Sequence, residues 1–532
     1  MSAPATLPAR PEPVGPNRVR TDVVVVGAGI AGLYAAVRLP EGLDVVVIDK
    51  GAPGGESGSS PWAQGGLAAA VGPDDSPAVH AEDTLRAGDG LCDPVAVRIL
   101  ANEAPGHVHV LERLGARFDR HGPSAGPGDV PRYDLAREGG QRVARSVRRA
   151  DATGAELVRV LRAAASPRVR RLPGIVRSLA RDGAGRVTGL WARSDDAQVA
   201  VEARAVLLAT GGCGGLFAAT TNPDHATADG VALAAEAGAA LRDLEFVQFH
   251  PTGLAVRGAW RFLLTEALRG AGATLHAADG TRFMVDRHPD AELAPRHVVA
   301  KAILEQPDGI AYLDATHLSE EGLVSEFPTV LEGARRHGFD LATQRVPISP
   351  AAHYQVGGVR TDLDGRTSLH GLHAAGEVAS TGVHGANRMA GNSLSESLVF
   401  GARAATAIAD ELPARHGELG PPPLHAEEPA DDDLPGLRTD LRAAMLEGAG
   451  PSRDAAGLDD LAGRLAVLAE RTELPTRDPV SIELHHAVRA ARLIVWAARL
   501  RTESRGGHWR EDHPGSEPAW ADTHLERTGL VS

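Results

Sequence analysis

The stretch that decides the fold is residues 23–32, VVVVGAGIAG. Four consecutive valines suit a parallel strand buried on both faces. The chain then turns through Gly27, Ala28, Gly29, Ala31 and Gly32, with the glycines spaced GxGxxG, and continues as GLYAAVRL at helical spacing. A second apolar run, DVVVID at 44–49, closes the unit on an acid. Strand, glycine turn, helix and strand within about 30 residues make a dinucleotide-binding unit. The first glycine permits the tight turn, the second lets a pyrophosphate approach the backbone, and the third lets the helix pack on the strand. The phosphates then rest on the positive end of the helix, and Asp49 is placed to accept hydrogen bonds from the ribose. The motif alone leaves the choice between a nicotinamide and a flavin dinucleotide open.

Composition bounds the rest. The 532 residues suffice for two or three domains. Lys and Arg total 55 against 69 Asp and Glu, a net charge of -14, which excludes a broad cationic surface for nucleic acid or anionic lipid. Any basic site is local and enclosed. No apolar run reaches membrane-spanning length, and the proline-rich opening residues lack a secretory apolar segment. The expectation is a cytoplasmic protein with a loose leader over 1–20. Cys92 and Cys213 are the only cysteines, too few for an iron–sulfur cluster, and are expected as reduced thiols.

Further buried strands end at AVLLAT (205–210) and LHAAGE (372–377), so one sheet is expected to draw on distant parts of the chain. Residues 250–345 differ in texture, mixing short helices and turns, and read as a domain inserted into the nucleotide-binding fold, with a ligand cleft at the junction. The expected class is α/β: a Rossmann-like dinucleotide-binding domain over 21–249 and 346–411, an inserted α+β capping domain over 250–345, and a C-terminal helical domain with a polar tail over 437–532. Proline-rich, acidic residues 412–436 read as a linker. Leu437, Leu441, Met445, Leu458, Leu461, Leu465 and Leu468 keep the spacing of helices with one apolar face.

Three other segments supply turns suited to a flat cofactor ring: SSPWAQGGLAAA (59–70), ATGG (209–212) and HAAGEVASTGVHGANRMAGNSLSES (373–397). With these motifs the chain resembles the L-aspartate oxidases, within the succinate dehydrogenase and fumarate reductase flavoprotein superfamily, from about residue 21 to 515. The resemblance implies FAD, held by the glycine turn and by Lys50, Ser57, Ser59, Gln64, Gly65, Gly66, Asp229, Glu377, Ser393 and Leu394. Respiratory members tether the flavin through a histidine five residues before the glutamine of AQGG. Here that position is Ser59, which implies non-covalent FAD.

The resemblance also implies a four-carbon dicarboxylate site from FVQFHPTG, LLTEALRG, APRHVV, PAAHYQVGGV and GANRMAG, giving Gln248, His250, Thr265, Glu266, Arg296, His353 and Arg388. Two carboxylates in a desolvated pocket need two clusters of strong donors, and the guanidinium fork matches a carboxylate. Arg296 and Arg388 are therefore read as clamps. Glu138, in LAREGGQRVARS (135–146), stands where succinate and fumarate enzymes carry an aromatic residue. A carboxylate there is read as the group that selects the ammonium of aspartate, against a plain surface ion pair with Arg137 or Arg142. Arg296, Glu138, His250 and His353 are the catalytic candidates, with Arg296 as proton donor toward fumarate. Gln141, Arg142 and Gly391 depart from the family pattern. The implied reaction is oxidation of L-aspartate to iminoaspartate with oxygen or fumarate as acceptor, opening NAD formation through quinolinate, with quinolinate synthase as the candidate partner. The alternatives are a soluble fumarate reductase or succinate dehydrogenase flavoprotein, and a flavin-binding protein without turnover.

Overall fold

The computed structural model describes residues 17–51, 58–121, 132–194, 197–256, 262–426 and 433–531. Most of the expected leader, part of the linker and Ser57 lie outside these residues. The valine run forms β1 (Arg18–Val26), with Val23–Val26 buried, so the strand begins three residues before the boundary drawn at 21. Helix α1 (Ile30–Arg38) returns the chain to β2 (Val45–Asp49), parallel to β1 in the register Val25 to Val47. The sheet continues through β3 (Val169–Pro173), β4 (Ile175–Arg181), β5 (Val187–Ser194), β6 (Ala197–Leu208) and β7 (Leu372–Ala374). Their order is β3-β2-β1-β6-β5-β4. The free edge of β6 is shared: its first half pairs antiparallel with β5, and its second half pairs parallel with β7. Distant stretches of sequence thus deliver the ends of β1, β6 and β7 to one rim, where ligands of α/β folds sit.

The inserted segment builds its own antiparallel sheet, ordered Val247–Leu254, Val346–Gln355, Ala311–Asp314, Thr274–His276. A separate core of Leu254, Met284, Val299, Ile303, Leu313 and Ile348 supports it, with α2 (Arg296–Leu304) packed on the sheet. Its two long strands, Val247–Leu254 and Val346–Gln355, pair with each other and run back toward the rim. After α3 (Asn392–Glu411), the C-terminal helices Leu434–Ala449, Ala455–Arg471 and Pro479–Leu500 bury the leucines expected from their spacing. These leucines join one core with Val187, Leu190 and Val231, so the helical region leans on the main sheet.

The stretch after residue 500 differs from the expected polar tail. Arg501, Glu503 and His508 are fully buried, and Arg501 binds Glu245 at 2.5 Å and Glu503 at 2.9 Å. Each charge brings its own partner inside, which is the condition for burying it. Residues Glu526–Thr528 then add a strand beside Ala240–Arg242. Among the described residues no helix is long and apolar enough to cross a membrane.

The turn after β1 has little tolerance. Gly27 has φ +109°, and a Cβ there would stand 2.2 Å from the Ala209 carbonyl oxygen. Gly42 has a similar φ of +97° with open space around it. The Gly27→Ala protein is therefore expected to retain at least tenfold less flavin after gel filtration, whereas Gly42→Ala, carrying only backbone strain, keeps a parent-like flavin-to-protein absorbance ratio. Parent-like flavin in Gly27→Ala would contradict this reading of the turn.

Candidate active site

One elongated cavity, of about 1650 Å³ including its mouth, runs along the rim and under the inserted domain. Gly27, Ala28, Gly29, Ala31 and Asp49 line one end, and Ser59, Gln64, Gly65 and Gly66 follow. Glu377, Ser393 and Leu394 close the middle. Glu138, His250, Thr265, Glu266, Arg296, His353 and Arg388 line the far end. Gly32 lies outside, packed where a Cβ would be 2.1 Å from the Gly27 carbonyl oxygen, the helix-packing role expected of the third glycine.

The lining fits a dinucleotide. The Gln64 Oε1 and Thr210 Oγ1 atoms are buried without a partner, and both residues face the cavity. A Cβ on Gly211 would meet open space at φ +78°, leaving its backbone accessible to a ring. Lys50 and Asp229 do line the cavity, but they face each other. The Lys50 ammonium meets Asp229 at 2.5 Å, Glu483 at 2.8 Å and Thr227 at 2.9 Å. Burial alone lowers its pKa, yet the two carboxylates more than offset this and raise it. Helix Pro479–Leu500 thus reaches the cofactor end through Glu483, a contact that sequence spacing did not reveal.

At the far end the arginines are held by the protein itself. Arg296 donates to Glu266 at 2.7 Å through Nε, with Nη2 at 2.6 Å from the same oxygen. Arg269 binds the other Glu266 oxygen at 3.1 Å. Burial works to raise the Glu266 pKa, but Arg296 and Arg269 outweigh it and keep the carboxylate ionised. Glu266 lines the cavity, with one oxygen bonded to Arg296 and the other left without a hydrogen-bond partner although Arg269 lies near it. Arg269 was missed by sequence reasoning, although its three-residue spacing from Glu266 on one short helix was the available signal. Arg388 lies 4.4 Å above the Tyr354 ring and donates to Ser393 at 3.2 Å. Burial first, then Arg296, lower its pKa to about 10.

Gln248, expected beside the substrate, stands behind the cavity lining. It is 1% exposed and makes four hydrogen bonds to protein. His250 and His353 meet edge to face at 4.9 Å between ring centres. Burial, then Arg296, hold both well below the ordinary histidine range, so both rings are neutral. The Thr252 backbone N–H donates to His250 Nδ1 at 3.3 Å, which leaves the ring proton on Nε2. Thr221 fixes His353 at 2.7 Å, and Thr265 caps the helix that carries Glu266 and Arg269.

Glu138 is 2% exposed and pairs with neither neighbouring arginine. Arg137 donates to the Gln141 carbonyl, and Arg142 pairs with Glu82 and Asp83. One Glu138 oxygen accepts from Gly66 N–H at 2.9 Å, within the AQGG turn. Burial, then the nearby Glu266 charge, raise its pKa. Of the departures from the family pattern, Gln141 accepts from the Glu138 N–H at 3.0 Å and donates to Ser146 at 3.0 Å, so it braces Glu138 from behind. Gly391 has φ +81°, and a Cβ there would lie 2.8 Å from that of Ala68, so glycine suits this backbone.

The chain matches the FAD binding domain family over residues 22–394 and the fumarate reductase flavoprotein C-terminal family over 438–528. It is 46% identical to an L-aspartate oxidase of Caulobacter vibrioides, covering 95% of this chain and 96% of that protein. It is also 46% identical to one of Streptomyces coelicolor, covering 93% and 89%. Among solved structures it resembles E. coli quinol fumarate reductase, with a TM-score of 0.87 at 30% identity over 97% of this chain and 96% of that one. Mycobacterium smegmatis Sdh1 gives a TM-score of 0.81 at 32% identity over 97% and 94%.

A raised carboxyl pKa costs stability as pH climbs, because the ionised form fits the unfolded chain better than the buried site. Ligand-free Glu138→Gln is therefore expected to melt above the parent at about pH 8, with the gap closing toward about pH 4. A gap that stays constant across that range would refute the burial argument.

Proposed function

Taking as premise that the chain belongs to the L-aspartate oxidases of the fumarate reductase flavoprotein superfamily, we propose that the far end of its cavity clamps L-aspartate by both carboxylates and reads its ammonium with Glu138. The chain is an FAD-dependent oxidoreductase that converts L-aspartate to iminoaspartate, with oxygen or fumarate as acceptor, the reaction that opens NAD formation through quinolinate. The observation that carries the residue assignment is a buried, cavity-facing carboxylate at 138 beside buried arginines at 296 and 388. Without a cation to meet, that carboxylate is a net cost to the fold.

Arg296 and Arg388 take one substrate carboxylate each. Their charge-assisted hydrogen bonds gain strength where water is excluded. The neutral His250 offers its Nε2–H to a substrate oxygen, with His353 and Thr265 completing the shell. Glu138 binds the ammonium and, with its raised pKa, is suited to take one ammonium proton as the carbon–nitrogen bond becomes an imine. When bound, FAD supplies the two-electron acceptor for the hydride that leaves the α-carbon. In the fumarate direction Arg296, polarised by Glu266, is the proposed proton donor to carbon. The domain division given above is part of this proposal, with residues 21–249 and 346–411 binding FAD and 250–345 covering the substrate. Non-covalent FAD follows from serine at 59. Quinolinate synthase is the proposed recipient of the product, and the cytoplasm the proposed compartment, in keeping with free thiols at Cys92 and Cys213.

Glu138→Phe tests the central assignment. Anaerobic bleaching of the flavin by L-aspartate is expected to slow at least a hundredfold, the cost of removing one partner of a buried charge pair, while succinate bleaches it as well as or better than in the parent. Bleaching by L-aspartate at the parent rate would overturn the role of Glu138.

A further inference from the structure

Gln248 occupies an unusual position behind the substrate clamp. Its single Oε1 accepts from Arg296 Nη1 at 3.0 Å and from Arg388 Nη2 at 3.1 Å. Its Nε2 donates to Asn387 Oδ1 at 2.9 Å and to the Arg388 carbonyl at 2.7 Å. Asn387 Nδ2 in turn donates to the Ala87 carbonyl at 2.9 Å. Gln248 and Asn387 are 1% and 2% exposed.

The direction of this chain is fully determined. A backbone carbonyl can only accept, so Ala87 compels Asn387 to present its nitrogen there and its oxygen to Gln248. Gln248 must then turn its nitrogen toward Asn387 and its oxygen toward the arginines, which can only donate. With two bonds at each end, the amide has no capacity left for substrate.

We infer that Gln248 is a positioning residue that sets the distance between the two guanidiniums, and thereby the length of dicarboxylate the site accepts. The inference rests on the proposed clamp and extends it. Two buried like charges repel strongly in a low dielectric. One shared acceptor holds the facing nitrogens within two hydrogen-bond lengths of each other. Arg296 comes from the inserted domain and Arg388 from the other side of the cleft, so the shared oxygen also fixes the two sides relative to one another. Because Gln248 is neutral, the arginines keep their charge for the substrate. A carboxylate at this position would keep the bridge but neutralise part of that charge.

The test uses the FAD-loaded enzyme with malonate, succinate and glutarate as competitive inhibitors of L-aspartate oxidation, which differ only in chain length. The parent is expected to favour succinate. In Gln248→Met, which keeps the volume but lacks the acceptor, the preference for succinate is expected to fall roughly tenfold, the scale of a lost charge-assisted hydrogen bond. In Gln248→Glu all three inhibitors weaken together and their ratios stay. If Gln248→Met does not fold with flavin, Asn387→Leu takes its place, since it frees the Gln248 amide to turn, and the same loss of preference is expected. Parent-like ratios in the substituted protein would overturn the inference while leaving the clamp intact. A parent that binds none of the three inhibitors would sink the clamp reading and this inference with it.

Discussion

The structure of the site depends on keeping Arg296 and Arg388 charged and close together away from water. Isolated buried charges of one sign are expensive, and every neighbour of this pair addresses that cost. Glu266 takes two nitrogens of Arg296 and is itself held by Arg269. Arg388 lies over the face of Tyr354, where the ring's electrons favour a cation. Gln248 joins the two. These groups come from the strand Val247–Leu254, the short helix Glu266–Gly270, the strand Val346–Gln355, α2 and the loop before α3. The arginines therefore come together where the inserted domain meets the nucleotide-binding fold.

The same pocket contains its counterweight. Glu138 sits beside the AQGG turn through its bond to Gly66, where burial and the neighbouring Glu266 outweigh Arg296 and bias its carboxyl toward the neutral form. A substrate with two carboxylates and one ammonium satisfies the arginines and Glu138 together. A diacid without nitrogen leaves Glu138 unmatched. On the proposed reading, selection between aspartate and its amine-free relatives lies in this one side chain, which Gln141 braces from behind.

Much of this was legible in the sequence. The valine run, the glycine spacing and Asp49 specified the nucleotide-binding unit because a buried parallel strand and a pyrophosphate turn each admit few residue types. The residues read as catalytic, Arg296, Glu138, His250 and His353, share one cavity. Sequence reasoning failed where a side chain's partner is set by the tertiary fold. Gln248 stands in a motif that borders the site, and nothing in the spacing says that its amide is already taken by other protein groups. The buried ion pairs of Arg501 and Glu503 were hidden for the same reason: a charged stretch looks solvated until its partners are known. Arg269 carries only its three-residue spacing from Glu266 as a signal, and Tyr354 only its adjacency to His353.

The most direct measurement is the deuterium isotope effect on anaerobic flavin reduction by L-aspartate labelled separately at C2 and at C3. The clamp and Glu138 together present the α-carbon for hydride loss, so the C2 label is predicted to slow reduction several-fold and the C3 label to leave it nearly unchanged. Slowing confined to the C3 label would mean that the substrate lies the other way round and is desaturated like succinate, contradicting the account.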